Sequence, residues 1–108
     1  MNQFQILDCA TYGSGLAGEG EGEGAVLVDV RTEAEVARSK IRSALHIPLT
    51  ALPARLGEID KNKPLVFCCQ MGGRSAQACQ FAVAQAYEKV YNLQGGMQAW
   101  LAVGLPTI

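Results

Sequence analysis

Short apolar runs alternate with helical patterns along most of the chain. The clearest run covers residues 25–30, where valine and leucine follow one another almost without interruption. A β-branched run of this kind is typical of a strand that is buried on both faces of a sheet. Shorter apolar runs predict further strands over 43–46, 64–68 and 90–93.

Helical signals fall between the predicted strands. Thr32 precedes Glu33 and Glu35, and a capping residue followed by acidic residues marks the start of a helix. A short helix is predicted over 50–59. Between 75 and 86, small and apolar residues recur at helical spacing, which predicts a longer helix there.

A last predicted helix follows Gly95 and Gly96, and its Trp100 is expected to pack it against the sheet. Strands that alternate with helices imply right-handed crossovers and a parallel sheet with helices on both faces. The pattern therefore predicts an α/β fold, a three-layer α/β/α sandwich.

The chain has 108 residues, 49% of them hydrophobic. This length fits a single domain over 1–108 and leaves no room for a second. Residues 13–24 read GSGLAGEGEGEG and have little apolar surface to bury. We expect this segment to be a flexible Gly/Glu-rich surface loop with no function of its own.

The charge balance limits the classes of partner. A net charge of −1 without a basic block argues against nucleic acid or an anionic membrane as the main partner. The sequence shows neither an apolar run of membrane-spanning length nor a secretory leader. We therefore expect a soluble, cytoplasmic protein.

The unusual feature of the composition is its four cysteines: Cys9, Cys68, Cys69 and Cys79. A disulfide framework is not expected, because a secretory context is missing and two of the cysteines are neighbours. No CxxC pair or nearby histidine gives the spacing of zinc ligands, so no metal site is predicted. Its helical spacing makes Cys79 a small core residue, whereas Cys9 gives no signal.

The segment that most suggests chemistry runs from Cys69 to Ser75, between a predicted buried strand and a helix. Ligands of α/β sheets bind at such carboxyl ends of strands. Gly72 and Gly73 allow a tight turn whose N–H groups can bind an anion at the start of the helix. A cysteine there should have a lowered pKa, and Arg74 supplies a fixed positive charge. From these residues alone, a reactive thiolate in an anion-binding loop and a plain glycine turn beside a buried cysteine are equally open.

Three segments of the chain occur together, in the same order and spacing, in one known family. They are PLVFCCQMGGRSAQA around the loop, LVDVRTEAEV with IRSALHIP before it, and VYNLQGGMQAW after it. Together they resemble the rhodanese family of single-domain sulfurtransferases over about residues 25–105. The resemblance implies a small, mainly parallel sheet of about five strands between helices, in agreement with the pattern above.

The resemblance also implies a reaction and its residues. By position, Cys69 corresponds to the family's nucleophile, and Arg74 closes its six-residue loop. The implied substrate-binding residues are Gln70, Met71, Gly72, Gly73 and Ser75. Sulfane sulfur from thiosulfate or another persulfide donor would pass through a persulfide on Cys69 to cyanide or a thiol, without metal or organic cofactor. The implied partners are a small anionic donor, that acceptor and a sulfur-relay protein.

Two alternative functions stay open at this point. Counted from Cys68, the segment reads C-x5-R-S, which resembles the signature of cysteine phosphatases and their wider loop. Pro64, five residues before Cys69, and the flanking motifs favour Cys69 instead. The second alternative is a catalytically inactive rhodanese-like binding module. Cys68 itself is expected to be a buried strand thiol. A role as the resolving partner of Cys69 is less favoured, because a disulfide between neighbouring cysteines is strained.

Other residues near the loop have structural interpretations or depart from the family pattern. Gln70 stands where many active members carry arginine, which indicates weaker thiosulfate binding or a larger or less anionic donor. Asp29 and Arg31 are expected to anchor the sheet edge by an ion pair. Ser75 is expected to cap the following helix, and His46 to be structural.

Overall fold

The computed structural model describes residues 4–9, 12 and 25–108, and the predicted loop at 13–24 lies outside the described residues. Five strands form one parallel sheet in the order β1-β5-β4-β2-β3. Their bounds are β1 Gln5–Leu7, β2 Val26–Asp29, β3 Leu45–His46, β4 Leu65–Cys68 and β5 Val90–Leu93. The parallel sheet expected from the sequence is confirmed.

The helices between these strands follow the predicted order. They are α1 Glu33–Arg38, α2 Leu52–Arg55, α3 Gly73–Ala84 and α4 Gly96–Ala102. The segment predicted as one helix over 50–59 is instead α2 flanked by the short 3-10 turns Leu49–Ala51 and Leu56–Glu58. No helix in the described part of the chain is both long and apolar enough to cross a membrane.

Side chains of the central strand alternate between two separate cores. Phe67 and Cys69 lie in one core with buried residues of α2 and α3, whereas Val66 and Cys68 lie in the other with Trp100 of α4. Alternation of this kind follows from the two-residue repeat of a strand. Helices therefore cover both faces, which confirms the three-layer α/β/α sandwich, and Trp100 packs its helix against the sheet as expected.

An edge strand, β1, was not predicted from the residue pattern. It is only three residues long and pairs with β5 through Gln5, Ile6 and Leu7. Only Leu7 is buried, and Ile6 is 57% exposed. So short a segment with one buried residue gives little periodic signal.

A buried ion pair closes the carboxyl end of β2. Arg31 Nη2 lies 2.8 Å from Asp29 Oδ2, and the guanidinium also donates to the carbonyl oxygen of Ser39. The Nε2 atom of His46 lies 2.7 Å from the carbonyl oxygen of Arg31. These three side chains fix the backbone at this edge, as the sequence predicted.

Candidate active site

The predicted loop lies at the carboxyl end of the central strand β4. Cys69 follows the last residue of β4, and α3 begins four residues later at Gly73. Gly72 is the N-cap of α3 with a φ of +116°, a conformation that L side chains rarely adopt. The chain thus reverses from strand to helix in a turn tight enough to curl around the Cys69 sulfur.

Hydrogen-bond donors surround the Cys69 thiol. The backbone N–H of Gly72 donates to Sγ at 3.0 Å, and the Ser75 hydroxyl oxygen lies 3.3 Å from the same atom. Cys69 is only 2% exposed. The geometry is that of a small anion-binding nest in which the sulfur takes the place of the anion.

The balance of burial and hydrogen bonding favours the Cys69 thiolate. Burial raises the pKa of the Cys69 thiol, but the Ser75 hydroxyl and the backbone N–H groups of Ser75, Gly72 and Met71 lower it by more. The net pKa of Cys69 is below its ordinary value. A thiolate is the nucleophilic form of cysteine, so the lowered pKa favours the form of Cys69 that can attack an electrophilic atom.

Ser75 does not cap α3 as predicted. A left-handed Gly72 occupies the N-cap position without a side-chain hydrogen bond, and Ser75 lies in the first turn of the helix, fully buried. Its hydroxyl oxygen is 2.5 Å from Asn92 Oδ1 and 3.2 Å from the carbonyl oxygen of Gly72. A hydroxyl has one proton, so Ser75 can donate to the Cys69 sulfur only when it does not donate to one of these two oxygens.

Asn92 of β5 supports the turn, and sequence reasoning missed it. Its Nδ2 donates to the carbonyl oxygen of Gly72 at 3.1 Å, while its Oδ1 accepts from Ser75. It is a buried polar residue in the middle of an apolar strand. A polar residue within an apolar strand could have indicated this role, because a buried amide must find hydrogen-bond partners.

The start of α4 holds the carbonyl side of the turn. Met97 N donates to the Cys69 carbonyl oxygen at 2.8 Å, and Gln98 N donates to that of Gln70 at 3.0 Å. A Cβ atom on Gly96, whose φ is +53°, would collide with the Cys69 carbonyl group. With its carbonyl oxygens turned toward α4, the turn leaves N–H groups free to face the sulfur.

Arg74 is held by a carboxylate from α1. Its Nη1 lies 2.7 Å from Glu35 Oε1 and its Nη2 lies 2.9 Å from Glu35 Oε2. The guanidinium and a Thr32 backbone bond lower the pKa of Glu35 to about 2, and Glu35 raises the pKa of Arg74. The sequence indicated Glu35 only as an acid in the first turn of a helix, because its partner lies 39 residues further along the chain.

The remaining loop residues differ in their exposure. Gln70 and Arg74 are half-buried, Gly73 is exposed, and Met71 is 68% exposed. The structure thus places all the predicted site residues around one turn, with the Met71 backbone facing the sulfur and its side chain facing solvent.

Burial raises the pKa of each of the other three thiols. Cys68 is fully buried in the opposite core, where burial and Asp29 raise the pKa of its thiol far above the ordinary value. Burial raises the pKa of Cys79 to about 12. The Cys68 side chain lies on the opposite face of the sheet from that of Cys69, an arrangement that disfavours Cys68 as the nucleophile of a C-x5-R-S loop. All four cysteines are free, and the described residues contain no cluster of three or more His, Cys, Asp or Glu side chains suited to a metal ion.

Known proteins are similar to this chain in sequence and in fold. The family described as the rhodanese-like domain matches residues 16–103. A sulfurtransferase of Allochromatium vinosum is 44% identical over 86 residues, which are 80% of each chain. The thiosulfate sulfurtransferase GlpE of Actinobacillus pleuropneumoniae is 35% identical over 86 residues, again 80% of each chain. A rhodanese-like domain protein of Staphylococcus aureus superposes with a TM-score of 0.79 at 29% identity, covering 89% of this chain and 90% of that one.

Proposed function

The chain belongs to the rhodanese-like domain family, and from that premise we propose that it is a sulfurtransferase that carries sulfane sulfur as a persulfide on Cys69. The observation that carries the proposal is the Cys69 sulfur itself, which accepts from Gly72 N at 3.0 Å and has a lowered pKa. Such a thiolate is a soft nucleophile suited to attack on divalent sulfur.

In the first step, the Cys69 thiolate attacks the outer sulfur of thiosulfate. A new S–S bond forms on Cys69, the S–S bond of thiosulfate breaks, and sulfite leaves with the electron pair. The N–H groups of Met71, Gly72 and Ser75, which now favour the thiolate, would favour the persulfide anion in the same way.

In the second step, an acceptor attacks the outer sulfur of the persulfide. Cyanide becomes thiocyanate and a thiolate becomes a new persulfide, while the electron pair of the broken S–S bond returns to Cys69. The proposed cycle uses no metal or organic cofactor. Thiosulfate as donor is supported by the name of the Actinobacillus relative.

The acceptor in the cell is proposed to be a thiol, free or on a sulfur-relay protein. The side chain of Met71 is 68% exposed on the turn that holds the nucleophile, so an approaching partner meets an apolar group beside the site. We place the reaction in the cytoplasm, where cysteines such as these four stay reduced.

Thiocyanate formation from thiosulfate and cyanide tests the proposal. The wild-type protein should turn over, and Cys69→Ser should abolish turnover because a hydroxyl neither forms a thiolate nor carries sulfur. Cys79→Ser is the matched control, because the same atom changes in a buried thiol beside the Tyr91 carbonyl oxygen. It should retain most of the activity.

Two results would contradict this function. Turnover in a folded Cys69→Ser protein would remove Cys69 as the sulfur carrier. A wild-type protein that passes no sulfur from thiosulfate or from any organic persulfide would favour an inactive rhodanese-like binding module.

A further inference from the structure

We propose that Glu35 determines donor specificity by offsetting the charge of Arg74, so that Cys69 takes persulfide donors of low charge in preference to dianionic thiosulfate. This inference rests on the proposed function, because it concerns the donor that the same nucleophile attacks. Glu35 is here a positioning residue: it acts through Arg74 and makes no contact with the sulfur.

The ion pair between Glu35 and Arg74 is geometrically strong. Two parallel hydrogen bonds of 2.7 Å and 2.9 Å join the two planar groups, an arrangement more favourable than a single contact. The Arg74 side chain is 36% exposed and that of Glu35 is 32% exposed. Water and salt therefore screen the pair less than a fully exposed one.

Thr32 holds the Glu35 carboxylate in place independently of Arg74. The backbone N–H and the hydroxyl of Thr32 both donate to Glu35 Oε1, at 3.0 Å and 3.1 Å, in a capping box at the start of α1. The same oxygen accepts from Arg74 Nη1. Because α1 fixes the carboxylate, Arg74 would have to give up both bonds to Glu35 before it could turn toward an anion at the sulfur.

The pair leaves the nucleophile in a site of low net positive charge. Arg74 is the cationic residue of the turn, and Gln70 at the other polar position is uncharged. The hydrogen bonds of Ser75, Gly72 and Met71 are the leading causes that favour the thiolate, and they are all made by neutral groups. A dianion that approaches the thiolate is repelled by it and by Glu35, and Arg74 is the one residue of the turn whose full positive charge opposes this repulsion.

A donor of low charge avoids most of this repulsion. With an organic hydropersulfide RSSH, the thiolate attacks the terminal sulfur, the S–S bond breaks, and RS⁻ leaves with the electron pair. The transferred sulfur keeps its proton or loses it to water. This step leaves the same persulfide on Cys69 as thiosulfate does, without bringing two negative charges into the site.

Alkylation of Cys69 by two reagents tests the charge of the site without requiring sulfur transfer. Iodoacetate is an anion and iodoacetamide is its neutral analogue, so the ratio of their rates reports the potential at the sulfur. In Glu35→Gln the ratio of iodoacetate to iodoacetamide should rise about five-fold, as expected for uncovering one partly screened charge. The amide keeps an oxygen for the capping box, which accepts Gln as well as Glu.

Glu33→Gln is the matched control, because it makes the same charge change on an exposed side chain in the first turn of α1. Its rate ratio should stay within about two-fold of the wild type, since exposed charges are screened. Adding Arg74→Gln to Glu35→Gln should abolish the rise. Steady-state kinetics should then show the preference for thiosulfate over cysteamine persulfide, whose ammonium group offsets the persulfide charge, rising about five-fold in Glu35→Gln, mainly through a lower KM for thiosulfate.

The outcomes separate this inference from the proposed function. An unchanged or lower iodoacetate ratio in Glu35→Gln, an equal rise in Glu33→Gln, or a rise that persists without Arg74 would overturn the role of Glu35 and leave sulfur transfer intact. A shifted alkylation ratio in a protein that takes sulfur from neither donor would overturn the proposed function, and the donor preference with it.

Discussion

Cys68 and Cys69 are neighbours in sequence, yet their thiols have opposite properties. The peptide between them continues the alternation of β4, so Cys68 enters the apolar core beneath α4 while Cys69 faces the turn before α3. Burial and the Asp29 charge raise the pKa of Cys68, whereas hydrogen bonds overcome burial and lower that of Cys69. The difference comes from which groups point at each sulfur and not from the residue type.

The Ser75 hydroxyl should determine part of the reactivity of Cys69. Ser75→Ala removes the hydroxyl 3.3 Å from the sulfur, so the pKa of Cys69 should rise and the thiolate fraction at neutral pH should fall. The pH profile of Cys69 alkylation should shift to higher pH. The protein should also lose about 1 to 3 kcal/mol of stability, because Asn92 Oδ1 loses its buried donor.

Thr50→Ala serves as the control for this change, since it removes a hydroxyl from an exposed position. Its alkylation profile should match that of the wild type. A Ser75→Ala protein with the wild-type profile would show that the backbone N–H groups alone set the pKa of Cys69.

Among the secondary-structure elements, the contact between α4 and the turn matters most. The first N–H groups of α4 have no partners within their own helix, and two of them, from Met97 and Gln98, are used to hold the carbonyl oxygens of Cys69 and Gln70. The backbone approaches so closely at Gly96 that no side chain fits. This contact fixes the orientation of the peptide groups on which the nest depends.

Gly96→Ala should therefore disturb both stability and activity. The new Cβ would meet the Cys69 carbonyl group at a position with a φ of +53°, and we expect a loss of about 2 to 4 kcal/mol in urea unfolding together with slower Cys69 alkylation. Gly57→Ala is the matched control, because nothing lies within 4 Å of its Cβ position. A loss of similar size in both variants would remove the special role of the contact at Gly96.

The sequence predicted elements well where local chemistry is decisive. Thr32 caps α1 as expected, and β5 has the predicted bounds. The predicted cap at Ser75 was wrong because left-handed Gly72 takes the N-cap position, which frees Ser75 to face the sulfur. Strand β1 was not predicted, because three residues with one buried side chain give no recognisable hydrophobic pattern.

For the molecule as a whole, the residues around the turn come from distant parts of the chain. Glu35 lies 39 residues before Arg74, and Asn92 lies 17 residues after Ser75. No local pattern predicts such pairs, because the parallel sheet brings the carboxyl ends of its strands together only after folding. The turn around the Cys69 sulfur could be predicted from the sequence, whereas the groups that hold it and lower the pKa of Cys69 required the fold.

The central claim is that the Cys69 thiolate takes up one sulfane sulfur and gives it away. The most direct measurement is intact mass after incubation with thiosulfate and removal of the donor, followed by peptide mapping and a second measurement after cyanide treatment. The account predicts a gain of one sulfur atom on the peptide that contains Cys69, lost with cyanide and absent in Cys69→Ser. A gain that persists in Cys69→Ser, or no gain with any sulfane donor, would contradict it.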